Sequence, residues 1–265
     1  MLEPLPTLRT PDRPASALAR SLPASEAFAW LSAGWRDFRN GIGQSLAYGI
    51  FLVLLSYAIL WALGSFGLLY LALPTISGFL IVGPFLAIGL YEKSRALEQD
   101  ERVSLARMLS VPDVSLGQLA FAGLMLGMLV LFWIRTADLL YALFFGLAPF
   151  PGAQEALINV LTTPRGWMLI VVGGAVGGLF AAFAFALSLL SIPMILAERR
   201  DALTALGLSF AMTVRNVPVA LTWGAIVASG VALSVLTGLV ALAVVFPVLG
   251  HGTWHAYRAI RRIEE

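Results

Sequence analysis

Six apolar stretches, each about as long as a bilayer is thick, constrain this chain more than any other feature. A helix needs about 20 mostly apolar residues to cross hydrocarbon. Inside lipid, the backbone satisfies its own hydrogen bonds only as a helix or a closed barrel. The stretches fall at about 44–63, 68–91, 119–147, 167–196, 217–236 and 239–257. Composition agrees: hydrophobic residues make up 59% of the chain and charged residues 12%. That charged fraction is roughly half of what a water-soluble domain carries. The expected fold is therefore all-α: a polytopic membrane protein with six transmembrane helices.

Residues 1–23 hold five prolines and little bulky apolar content, and read as a flexible cytoplasmic tail with no secretory h-region. Residues 24–262 read as a single six-helix membrane domain. At 24–39 the chain turns amphipathic, with Phe28, Leu31 and Trp35 at i, i+3, i+7, Phe38 continuing the stripe, and Ser25 as an N-cap. Such a helix lies in the headgroup layer or packs across the ends of the bundle. Pro74 and Pro84 bend the second span, and Gly64-Ser65 and Thr237-Gly238 turn the chain between spans. Residues 92–114 form a charged connector with a short helix. A loop is expected at 149–165, and a second amphipathic stretch at about 200–214. GGAVGG at 173–178 lets another helix backbone come close.

Basic residues set the orientation. Of the 17 Lys and Arg, only Arg135 and Arg165 fall on the side opposite the rest. The positive-inside rule then puts both termini in the cytoplasm of a bacterial cell, with the chain in its inner membrane.

The chain also resembles itself. LAYG at 46–49 lies over LTWG at 221–224, an offset that pairs Leu31 with Leu206 and Trp35 with Phe210. PFLAIGLYEKSRAL at 84–97 lies over PVLGHGTWHAYRAI at 247–260. The expected repeat units are about 24–97 and 200–260, each an amphipathic helix plus a two-span hairpin. Linking spans at 119–147 and 167–196 separate them. An even number of spans between the units gives them parallel orientation. Ile88 and Glu92 of the first copy become His251 and His255 of the second.

Those histidines are the first candidate site. Spaced i, i+4, they share a helical face and suit a metal ion, with Glu198 or Glu92 as a third ligand. The plain alternative is hydrogen bonding to backbone or headgroups, beside Trp254 and Tyr257. Arg135 and Asp138, at i, i+3, are the charges deepest in an apolar run, a position that calls for either a functional or a structural pairing. Glu198 and its neighbours form an anchoring cluster, or a salt-bridge node with Glu92 and Arg258. There is no cysteine, phosphate loop, nucleophile elbow or nucleic-acid surface. The chain reads as non-enzymatic.

SIPMILAERRDALTALGLSFAMTVRNVPVALTWG, GPFLAIGLYEKSRALE and the GH-TWH-YR ending resemble a family of bacterial integral membrane proteins often labelled cytochrome c oxidase subunit I-like. The resemblance spans roughly residues 28–262 and implies a six-span inner-membrane protein. The catalytic oxidase subunit draws histidines from several helices; this chain has two, on one helix turn. What the resemblance leaves is an accessory or assembly role beside respiratory complex subunits, with membrane lipids as the other partner. A small-solute or ion transporter, with Arg135, Asp138, Glu92 and the histidines lining a path between the repeats, is the alternative. A metal-binding membrane protein is the third reading.

Overall fold

The computed structural model describes residues 18–67, 79, 82–101, 103–111, 115–146 and 152–261. Every regular element among them is a helix. The expected cytoplasmic tail lies almost wholly outside the described residues, as does much of the second expected span.

Four helices are long and apolar enough to cross a membrane: α2 (Ile42–Ser65), α5 (Leu116–Phe145), α7 (Pro164–Glu198) and α9 (Val217–Leu236). The last helix, α10 (Leu242–Arg261), occupies the sixth expected span but falls short by composition. Its second half carries His251, His255, Arg258 and Arg261, so its apolar stretch ends early. Six crossings are thus four by length and apolarity among the described residues.

The remaining helices are short: α1 (Glu26–Arg39), α3 (Ile88–Glu98), α4 (Leu105–Leu109), α6 (Ala153–Thr162) and α8 (Ala202–Arg215). The stretch expected as a plain loop at 149–165 contains α6 and the start of α7. Thr163 accepts a hydrogen bond from the Gly166 amide, and Pro164 sits in the first turn, where its missing N–H costs nothing. Ser25 does precede α1, but its side chain makes no capping bond. Asp201 caps α8 through Thr204. The turn after α2 comes at Phe66-Gly67, with Gly67 at positive φ, slightly later than expected.

Short helices α1, α4 and α8 gather at one end of the bundle. There α4 packs on α3 and α8 on α7, each against the helix just before it, while α1 packs on α10 at the far end of the chain. The α1 stripe therefore divides. Trp30, Ala33, Gly34 and Phe38 are buried, whereas Phe28 and Trp35 stay exposed. One face thus packs on the bundle, as the second expectation for this helix has it, and the other stays exposed. Gly34 is required at the crossing, because a Cβ there would lie 2.4 Å from the Val248 carbonyl oxygen. Ser209 of α8 meets α7 with its hydroxyl. It accepts from the Leu190 amide and donates to the Ala186 carbonyl, the two groups an undistorted helix would pair with each other.

Candidate functional site

Where α1, α2, α3 and α10 converge, six polar side chains join in one hydrogen-bonded chain. The reason they are found there is local. Asp37 sits on the packed side of α1 and Ser45 in the first turn of α2. Lys93 and Ser94 lie mid-way along α3, and His251 and His255 share one face of α10. Ser45, Lys93, Ser94 and His251 are all buried.

The donors and acceptors fix a direction. Ser94 Oγ donates to Asp37 Oδ2 at 2.7 Å, since a carboxylate only accepts. Its oxygen, 2.8 Å from His251 Nδ1, is then the acceptor for that ring N–H. A neutral imidazole has one N–H, so His251 Nε2 accepts from Ser45 Oγ at 3.0 Å. Lys93 Nζ donates to Ser45 Oγ at 2.7 Å and to the Gly41 carbonyl at 3.0 Å. At the other end His255 Nε2 lies 2.8 Å from the same Asp37 oxygen. Donation runs from the ammonium to the carboxylate with each link satisfied, the condition under which a buried polar network adds rigidity.

Two groups outside the spans are shifted by this setting. Burial raises the Asp37 carboxyl, but hydrogen bonds from His255 and Ser94 outweigh it and hold the group below 3.8. Burial lowers Lys93 to about 8, against a smaller opposing pull from Asp37.

Separate clusters flank the chain. Glu92 is fully buried and held by Arg95 (2.7 Å) and Arg107 (2.9 Å). Glu198 accepts from Tyr257, from Arg261 at 2.8 Å and from Arg200 at 2.7 Å. Arg258 pairs with Glu98, which also takes the Trp254 indole N–H. The single node expected to join Glu198, Glu92 and Arg258 is thus three nodes with different partners. Desolvation keeps each carboxylate with the nearest guanidinium rather than with a distant shared one.

For the histidines, the structure keeps the shared face but not a shared ligand. His251 commits both ring nitrogens to serines, and His255 faces Asp37. Neither Glu92 nor Glu198 is a hydrogen-bond partner of either ring. Among the described residues no three His, Asp or Glu side chains come together in a way that could hold a metal ion. Arg135 and Asp138 contact each other at 3.4 Å and point outward, with 82% and 63% of their side chains exposed. They share no partner with Glu92 or the histidines. A cavity of about 90 Å³ lies between α3, α7, α9 and α10, lined by Tyr91, Ser188, Trp223, Phe246 and Thr253 among others. None of the ionisable candidates borders it.

Sequence reasoning found the histidines but missed Asp37, Ser45, Lys93 and Ser94 as their partners. Lys93 and Ser94 stand inside the repeated block, two and three positions past Tyr91, so the block itself was the available signal. Ser45 carries no signal of its own.

Residues 71–197 match the family described as predicted integral membrane protein (DUF2189). No curated protein and no solved structure gives a match. That family description and the apolar helices together make this chain a multi-pass integral membrane protein.

Proposed function

We propose that the protein is a non-enzymatic component of the bacterial inner membrane, with six spans and both termini cytoplasmic. It serves as an accessory or assembly factor for a larger membrane complex, a respiratory oxidase being the specific case. The observation that carries this reading is the self-satisfied end plate. His251, His255, Glu92, Glu198 and Arg258 are all engaged by neighbours within the chain. Such an arrangement supports holding helices in place over turning over a substrate.

The duplication of the outer segments gains support from one contact. Ala87 and Gly250 occupy matching positions of the two repeated blocks, and a Cβ on Gly250 would lie 3.5 Å from that of Ala87. Equivalent positions meet when two copies pack about a local two-fold axis.

Isolation of the full chain from native membranes in mild detergent, followed by mass spectrometry, tests the function. Oxidase subunits should co-purify in stoichiometric amounts. Recovery of a particle free of other polypeptides rules the accessory role out.

A further inference from the structure

We infer that α5 is the contact helix of a parallel homodimer, with Arg135 and Asp138 pairing reciprocally between two copies of this chain. The helix has two faces. Leu119, Ala122 and Leu126 are buried, and Trp133 covers Gly177 of α7. On the opposite side Phe121, Leu124, Met128, Leu131, Arg135 and Asp138 follow one another at steps of three, four, three, four and three. Every one of them is exposed, with Phe132, Leu139 and Leu143 exposed beside the row. An exposed row with that 3.5-residue period is the seam along which helices supercoil left-handedly, in membranes as in water.

The charges say what covers the seam. Arg135 stands about 15 Å along the axis from the Phe145 end and about 28 Å from the Leu116 end, at 1.5 Å per residue. With a hydrocarbon layer of about 30 Å centred on this helix, the pair lies inside lipid, within about 10 Å of its boundary. Even in contact with each other at 3.4 Å, two such exposed side chains turned toward acyl chains are costly there. A second copy related by an axis along the membrane normal brings its α5 alongside in the same direction and at the same depth. Arg135 of each copy then reaches Asp138 of the other, and four charges of zero net sum leave the lipid together. Any other partner would have to supply matching charges of its own; this chain already carries both.

The absence of cysteine makes the test clean. Single-cysteine full-length variants Leu124→Cys and Leu131→Cys sample the seam. Leu54→Cys, 62% exposed on α2, is the control. Oxidation in native membranes should yield disulfide-linked dimers at both seam positions and none at the control. In the Leu131→Cys background, Arg135→Asp or Asp138→Arg alone should lower the linked fraction on the order of tenfold, since each leaves like charges opposed in hydrocarbon. The double reversal Arg135→Asp/Asp138→Arg should restore it. Equal linking at seam and control, no linking at the seam, or a double reversal as poor as the single ones each overturns the proposal.

Discussion

Two short helices, α1 and α8, align by sequence, with Leu31 over Leu206 and Trp35 over Phe210, yet each meets its supporting helix differently. The same alignment sets Gly34 over Ser209. At that position α1 removes the side chain and lets its backbone touch α10. At that position α8 keeps a hydroxyl and inserts it into the hydrogen-bond ladder of α7. The first contact depends on shape and tolerates nothing added. The second depends on a hydrogen bond that the receiving helix can make for itself if the hydroxyl goes.

That difference predicts unequal costs. Gly34→Ala forces a Cβ against backbone atoms at 2.4 and 2.6 Å, and α1 must lift away from α10. Overpacking of that kind destabilises by about 3 kcal/mol. Reversible unfolding in mixed micelles should show the loss, and an unchanged midpoint would mean the crossing is looser than drawn. Ser209→Ala costs less, about 1 kcal/mol, because Leu190 N–H and Ala186 C=O can pair directly once the hydroxyl is gone. A larger loss for Ser209→Ala than for Gly34→Ala, in the same assay, would reverse the comparison.

The smallest effect is pH dependence, and it should differ between the two contacts. The α1 seam carries Asp37 and, close by, Lys93; at the α8 contact Ser209 and Thr213 are neutral, and Asp201 titrates at the exposed N-cap. Asp37 is held below its ordinary value when folded, so its stabilisation is present above that value and is lost as pH falls through the lowered one. Lys93 is lowered from 10.5 to about 8. Folding disfavours its proton, so the penalty is full below about pH 8 and fades as pH rises toward 10.5. Wild type should therefore lose stability in acid and gain it between those two alkaline limits. Asp37→Asn should reduce the first slope, which the lowered Glu198 and Asp201 share, and Lys93→Met should flatten the second, each measured by unfolding across pH.

How far the sequence could be read follows the same division. Apolar length was legible in α2, α5, α7 and α9, because crossing hydrocarbon imposes one crude requirement that composition meets or fails. The i, i+4 histidines were legible as a pair on one face. Their partners were not, because Asp37, Ser45 and Ser94 come from three other helices and only tertiary packing brings them within reach. The stripe on α1 misled in part: Trp30 and Gly34, off the stripe, form the packed face, while Phe28 and Trp35 face outward. A helix with apolar residues on two sides gives a pattern that does not say which side is covered. The outward direction of Arg135 and Asp138 was equally hidden, since i, i+3 spacing fixes their neighbourhood and not their exposure.

The seating of α1 on α10 carries a consequence for biogenesis. Asp37 and His255 stand 218 residues apart, so the first described helix leaves the ribosome long before its dock exists. At about 5–20 residues per second, the wait is on the order of 10–40 s. Through that interval α1 has only its lesser contacts with α2 and α9, Trp30 against Trp223 among them, and Gly34 lacks the backbone it packs on. Its full docking is thus a late event that reports the arrival of α10, and a nascent protein truncated before residue 248 lacks most of its seat.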